Sequence, residues 1–395
     1  MTCFTMHRFN QRISNALAER DQQGLYRQRT CLERQSDHES ERVRSEDGAY
    51  LNFSSNDYLG LAQSPELIQA WQEGLSLYGA GSGASPLVTG YHRPHANVEA
   101  QLAEWLGFDR ALLFSSGFSA NQAVLFALLQ CGDSLFQDKL NHASLIEAGM
   151  LSEANMRRFA HNDVSSLSRL LNKNSDSGSV NFVATEGVFS MDGDLSPLAE
   201  ISAACHQAES VLLVDDAHGC GVLGHDGKGS CELAGVQPDI LVVTFGKAFG
   251  LQGAAVLCSQ DTAEYLVQFA RHYVYSTAMP PAQAHALSTA CRMIQSDGWR
   301  RERLGELSQT LVEGLDYGIG FDDTPSPIKP LMVGKSDEAL RISHALRQRG
   351  IWVSAIRPPT VPVNSARLRI TLTAAHQPDD IKQLSMAINE VFHGE

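Results

Sequence analysis

The sequence predicts an α/β protein: a large domain built on a mainly parallel sheet covered by helices, with a smaller C-terminal α+β domain packed on it. Three observations predict this. Between Ala111 and Cys258, short apolar runs alternate with segments of helical spacing, the signature of strand–helix–strand units. Those runs are apolar at successive positions rather than at every second one, as strands covered on both faces are. After residue 280 the order changes to two helices, short strands and further helices, and 395 residues suffice for more than one domain. The expected division is 1–48, an N-terminal helical segment and charged loop; 49–280, the large domain; and 281–395, the C-terminal domain.

The elements follow in order. Phe9, Ile13, Ala16 and Leu17 recur at helical spacing, so the first ~30 residues begin with an amphipathic helix. Ser36 to Asp47 is charged and nearly without apolar residues, which predicts an exposed loop or hairpin. Tyr50–Phe53 reads as a short strand, and Pro65 opens a helix bearing Leu67, Ile68, Trp71, Leu75 and Tyr78. Strands are expected at Ala111–Phe114, Ser134–Gln137, Asn181–Thr185, Val211–Asp215, Leu241–Thr244 and Ala254–Cys258. Helices are expected at Ser119–Leu129, Ala143–Ser152, Pro197–Ala208 and Thr262–Arg271. Beyond them come two helices within 281–315, strands at Lys329–Val333, Trp352–Ala355 and Leu368–Leu372, and helices at Asp337–Arg349 and Pro378–Phe392.

Composition excludes several classes. A net charge of −14 argues against a general nucleic-acid or anionic-membrane binder. No run of 18 apolar residues suggests a membrane span. The start, Met1-Thr2-Cys3-Phe4-Thr5-Met6-His7-Arg8, lacks the apolar core of a signal peptide. The 8 cysteines are scattered without a C-x-x-C pair, as in a reduced, cytoplasmic protein, and no clustered ligands predict a metal site.

Two strand ends carry chemistry. Ile240 to Gly250 is a buried-strand pattern that empties into a glycine-flanked turn bearing Lys247. Val211 to Gly219 is another, ending in Asp215 with His218 three residues on. A lysine able to form a Schiff base and an acid able to pair with a pyridinium nitrogen are what pyridoxal phosphate (PLP) requires of a protein. Each sits at the C-terminal end of its strand, where open α/β sheets bind ligands. Phe114 to Asn121 is strand, small-residue turn and helix start, a phosphate cradle or a plain connection. His142 begins another helix, as a capping residue or as a plate against a flat cofactor. Ser190 lies in Thr185 to Asp194, either a donor to a cofactor or part of a tight turn. Arg367 and Arg369 share one face of a strand; one can grip a carboxylate bidentately, and both would be solvated at a sheet edge.

Together these segments resemble the α-oxoamine synthases, a branch of the fold-type I PLP-dependent enzymes. The resemblance rests on Tyr50–Leu61, Gly81-Ser82-Gly83, Leu113–Phe118, Asn141–Ser144, Thr185–Asp194, Asp215–Gly219, Thr244–Lys247, Tyr275–Thr277, Ile356–Pro362 and Ala366–Arg369, and it spans nearly the whole chain. It implies a decarboxylating condensation of an amino acid with an acyl thioester on PLP. The segment Arg357-Pro358-Pro359-Thr360-Val361-Pro362 implies L-alanine and a pimeloyl thioester; a sister enzyme would take glycine and a short acyl-CoA. By resemblance, Lys247 is the cofactor lysine and acid–base group, Asp215 pairs with the ring nitrogen, His218 bonds the phenolic oxygen, Ser190 bonds that oxygen or the ring edge, and His142 stacks on the ring and faces the substrate. Gly117 and Phe118 amides with the Thr244 hydroxyl hold the phosphate. Asn56 and Arg369 orient the amino-acid carboxylate, and Arg27 and Thr360 face the acyl substrate. Ser276 and Thr277 reach the cofactor of the other subunit of a homodimer. Ala84, Pro86 and Val363-Asn364-Ser365 depart from the family's usual loops; Asn tolerates the left-handed conformation that glycine would supply at 364.

Overall fold

A strand apolar on both faces has one stable place, the interior of a covered sheet. The computed structural model, which describes residues 2–35, 41–173 and 179–394, puts the predicted runs there. Seven strands form the central sheet: β1 (Arg110–Phe114), β2 (Ser134–Asp138), β3 (Asn155–Phe159), β4 (Asn181–Glu186), β5 (Val211–Asp215), β6 (Ile240–Thr244) and β7 (Ala254–Cys258), in the order β1-β7-β6-β5-β4-β2-β3. All neighbours are parallel except β7, which runs antiparallel to β1 and β6. Successive residues enter two separate cores. Leu112, Phe114, Leu135, Leu213 and Val242 face the helices Gly117–Leu128, Ala143–Leu151 and Gln260–Phe269, while Leu113, Phe136, Val183, Val214 and Val243 enter the core on the other face. Strand β3 was not expected from the sequence. It lies at the sheet edge and carries Arg157 and Arg158 among half-exposed positions.

The smaller sheet is antiparallel, Ile328–Gly334 against Ala366–Thr371 against Ser354–Ile356. It is backed by the helix Ser336–Gln348, on which the helix Pro378–His393 packs in turn. The single strand expected at Trp352–Ala355 is split at buried Val353. Ile351–Trp352 pairs in parallel with Gly48–Asn52, and only Ser354–Ile356 joins the small sheet. The charged stretch turns as a hairpin, Arg42–Ser45 against Gly48–Asn52; its residues 36–40 lie outside the described residues.

Contacts cross both expected boundaries. The hairpin reaches the C-terminal part through Ile351–Trp352. The helix Pro281–Ser296 packs on the helices Pro65–Tyr78 and Arg93–Leu106 of the large domain. At that crossing a Cβ on Gly74 would lie 2.7 Å from the Ala282 carbonyl oxygen, so glycine alone fits. The Thr371 amide donates to Phe53 O at 2.9 Å and the Ala374 amide to Tyr58 O at 2.8 Å. These bonds bring Arg369 beside Asn56.

Candidate active site

Parallel order gathers the C-terminal ends of β4, β5 and β6 at one edge of the sheet, with Phe114 at the end of β1 and the start of β7 beside them. There the chain encloses a cavity of about 500 Å³, in the range of small-molecule sites. Lys247, Asp215, His142, His218, Ser190, Thr244, Gly117, Phe118, Asn56 and Arg369 all line it, so sequence reading and structure agree on one place. Ser276, Thr277, Arg27 and Thr360 do not line it. The Arg27 guanidinium instead donates to the Thr360 hydroxyl at 3.4 Å, and Arg357 donates to Gly24 O at 2.6 Å. These bonds tie the N-terminal segment to the loop after Ile356. A larger cavity of about 610 Å³, beside Trp299, Arg303 and Gln377, is lined by neither lysine nor histidine.

Asp215 is buried and takes two donors, Asn121 Nδ2 at 2.7 Å and the Ala217 amide at 3.0 Å. Asn121 also donates to Ser144 Oγ at 2.9 Å, and that hydroxyl lies 2.8 Å from His142 Nδ1. The Ser144 amide donates to the same nitrogen at 3.3 Å, so Nδ1 is an acceptor and the proton of the neutral ring is on Nε2. Burial first, and then Lys247, hold His142 below its ordinary pKa; Asp215 opposes them. His218 is buried with Nδ1 2.5 Å from Tyr58 Oη. Burial and the charges of Lys247 and Arg369 push its pKa well down. A neutral ring accepting the tyrosine proton at Nδ1 has Nε2–H as its remaining donor. Asn121, Ser144 and Tyr58 had no role in the sequence reading. Their only signal was that they stand inside the motif segments.

Lys247 Nζ donates to Thr244 Oγ1 at 3.3 Å. Burial lowers its pKa, Arg369 adds to that, and Asp215 and Glu186 oppose it. Glu186 pairs in register with Asp215. Burial first, and then the neighbouring Asp215, raise its pKa well above its ordinary value.

Both strand arginines are buried, not solvated. Arg367 is engaged by Asp192 and by Ser365 O. Arg369 lines the cavity. Its Nε donates to Ser190 O at 2.6 Å, and Nη1 donates to Asn56 Oδ1 at 3.0 Å and Thr371 Oγ1 at 2.9 Å. Nη2 has one long contact, 3.5 Å to Tyr58 Oη, which leaves it able to donate to an anion. Because Asn56 Oδ1 is taken, the Asn56 NH2 is the group left to donate beside it.

The residues fit PLP. The helix Gly117–Leu128 begins at the cavity, its cap Ser116 accepting from the Ser119 amide at 3.1 Å; the Gly117 and Phe118 amides are first-turn donors suited to a phosphate. A Cβ on Gly117 would lie 2.6 Å from Thr244 Cγ2, so only glycine lets the turn sit against the end of β6. Asp215 is a buried acid held by two donors, and Lys247 stands close by. Among the described residues, Asn121 Oδ1 and Glu186 Oε1 are buried without a partner, as polar atoms waiting on a ligand are.

Comparison with known proteins agrees. Residues 49–388 match the family described as aminotransferase class I and II. The 8-amino-7-oxononanoate synthase of Photobacterium profundum is 65% identical over 390 residues, covering 98% of each chain. A crystal structure of 8-amino-7-oxononanoate synthase from Francisella tularensis superposes with a TM-score of 0.74 at 32% identity, over 87% of this chain and 98% of that one. A lysine-to-alanine variant of the serine palmitoyltransferase of S. paucimobilis, with a bound PLP–myriocin adduct, gives a TM-score of 0.90 at 26% identity, over 98% of each chain.

Proposed function

From the chain's membership in the aminotransferase class I and II family, and within it in the 8-amino-7-oxononanoate synthases, we propose that it joins L-alanine to a pimeloyl thioester on PLP, a step of biotin biosynthesis. The products are 8-amino-7-oxononanoate, CO2 and the free thiol of the carrier. The observation that carries this reading is the cavity. It joins Lys247, Asp215 and a phosphate cradle to Arg369, a buried arginine with a guanidinium nitrogen left for a carboxylate.

When bound, PLP supplies a ring that draws electron density from the amino-acid α-carbon. Asp215, held by Asn121, would pair with the ring nitrogen. His218 would donate through Nε2–H to the phenolic oxygen, Ser190 would bond there or at the ring edge, and His142 would stack on the ring and face the substrate. The Gly117 and Phe118 amides and the Thr244 hydroxyl would hold the phosphate. Arg369 Nη2 and the Asn56 NH2 take the alanine carboxylate and fix which α-carbon bond faces Lys247. Lys247, whose pKa burial lowers, removes the α-proton. The carbon then bonds to the thioester carbonyl as the thiol leaves, the alanine carboxylate departs as CO2, and Lys247 returns a proton to the carbon.

The far carboxylate of a pimeloyl chain requires a cationic partner on entering a closed site. Arg27 is the candidate, and its hydrogen bond to Thr360 brings two segments assigned to the acyl chain together. Ser276 and Thr277 lie off the cavity, and Tyr275 beside them is 76% exposed. Leu87 and Val88 are exposed too, in a segment joined to this one by the bond from the Ala278 amide to Ala84 O. An apolar face of this kind fits a second copy of the chain, so the reading is a homodimer with shared sites, working in the cytoplasm. Among the described residues no helix is long and apolar enough to cross a membrane.

The test is mass spectrometry of the product from L-alanine and pimeloyl-CoA with the PLP-loaded enzyme. The expected product is 8-amino-7-oxononanoate, and Lys247→Ala should form none. Turnover of glycine with a short acyl-CoA in preference to this pair would replace the reading with that of a sister synthase.

A further inference from the structure

The 189–194 turn, whose Ser190 and Met191 line the cavity, is held from outside the cavity by a histidine the mechanism does not use. His161 follows the edge strand β3. Its Nδ1 is 3.0 Å from Asp138 Oδ1 and its Nε2 is 2.8 Å from Asp194 Oδ2. Carboxylates accept and do not donate, so both ring nitrogens must carry protons, and the ring is an imidazolium. Burial opposes that charge, but hydrogen bonds and attraction from Asp138 and Asp194 outweigh it and raise the pKa to about 10. Asp138 is fixed at the end of β2, where it also accepts from the Leu140 and Asn162 amides. Asp194 ends the turn that starts at Phe189.

That turn is the one that reaches Arg369. The Phe189 amide donates to Asp194 O at 3.0 Å and the Gly193 amide to Phe189 O at 2.8 Å, closing it on itself. His161 meets the buried Phe189 ring edge-on at a centroid distance of 4.4 Å. Asn162 adds a bond to Asp194 Oδ2 at 2.8 Å and another to Leu195 O at 3.1 Å. Within the turn so held, Ser190 offers its carbonyl to Arg369 Nε, and Asp192 engages Arg367.

We propose that His161 is a positioning residue for the amino-acid substrate: its bridge from Asp138 to Asp194 fixes the 189–194 turn, and the Ser190 carbonyl then aims Arg369 at the carboxylate. The proposal rests on Arg369 being the carboxylate anchor. His161 touches neither the cavity lining nor the acyl segments, so its effect belongs to one substrate.

The experiment uses the PLP-loaded enzyme with His161→Gln, Asp194→Asn and Arg369→Lys. His161→Gln should raise the KM for L-alanine on the order of tenfold, with kcat within about twofold and unchanged KM for the acyl thioester. Asp194→Asn keeps an acceptor for His161 and should give a smaller rise in the same direction; it also serves if His161→Gln does not fold. In the enzyme with and without PLP, amide hydrogen exchange over residues 187–195 should quicken in His161→Gln, while exchange in β5 and β6 stays as in wild type. An unchanged alanine KM in both clamp variants, with Arg369→Lys raising it, would overturn the proposal. Parallel losses in PLP affinity and both KM values would also overturn it, by making His161 a general stabiliser. If Arg369→Lys itself leaves the alanine KM unchanged, the reading of Arg369 fails, and the proposal with it.

Discussion

A carboxylate buried at the end of a strand keeps its charge only where donors replace water. Asp215 has two of them, Asn121 Nδ2 and the Ala217 amide, and its register partner Glu186 is pushed toward the neutral acid by burial and by Asp215 itself. Asp215→Asn tests the role proposed for this carboxylate. The amide has nearly the same shape, so PLP should still bind. It cannot balance a positive charge on the ring nitrogen, so kcat should fall by on the order of 10²–10³. PLP affinity by titration and single-turnover rates with L-alanine separate the two effects. A normal rate of α-proton exchange from alanine in this variant would show that Asp215 is not the partner of the ring nitrogen.

At the scale of elements, the proposed phosphate cradle is a meeting of two ends, the first turn of the Gly117–Leu128 helix and the last residue of β6. Gly117→Ala puts a methyl 2.6 Å from Thr244 Cγ2, so one of the two must shift. The expected result is a raised Kd for PLP on the order of tenfold, given the loss of aligned helix amides. Adding Thr244→Ser removes the obstructing methyl and keeps the hydroxyl, and should restore most of the affinity. Equal Kd values for the single and double variants would sink this account. The same elements show what a sequence makes legible. The interior strands were readable because both faces are buried and the apolar runs are unbroken. Strand β3 was not, since an edge strand with one neighbour can carry Arg157 and Arg158 without penalty. The helix Arg93–Leu106 passed unread although Val98, Leu102, Trp105 and Leu106 are buried along it. Site residues with chemistry of their own stood out at strand ends. Those that act on another side chain did not, because the pairing is far apart in sequence: 94 residues for Asn121 and Asp215, 160 for Tyr58 and His218. Asn364 is a local case that the sequence did reveal, with φ of 61° where the left-handed conformation was expected.

At the scale of the whole molecule, one chain brings Lys247, Asp215 and Arg369 to the cavity, yet leaves Ser276 and Thr277 off it. The segment they occupy is held outward. Ser82 Oγ donates to Ala278 O at 2.7 Å and the Ala278 amide donates to Ala84 O at 3.0 Å; Ala84, one of the departures from the family pattern, thus contributes only its carbonyl here, which any residue supplies. A two-fold dimer would carry this segment to the other subunit's site. Mixing variants tests that geometry. Lys247→Ala cannot turn over, and Ser276→Ala/Thr277→Ala should bind PLP too weakly to work at limiting cofactor. If the segment serves the partner's site, a heterodimer of the two variants contains one site with an intact lysine and an intact Ser276–Thr277, while its other site carries both defects. Random reassociation of equal amounts makes half the dimers mixed, so activity should recover to about one quarter of wild type. If the segment serves its own chain's site, every site in the mixture has a defect, and no recovery should occur. Assays of the mixture before and after subunit exchange decide between these outcomes, because only the shared site gains activity as the dimers scramble.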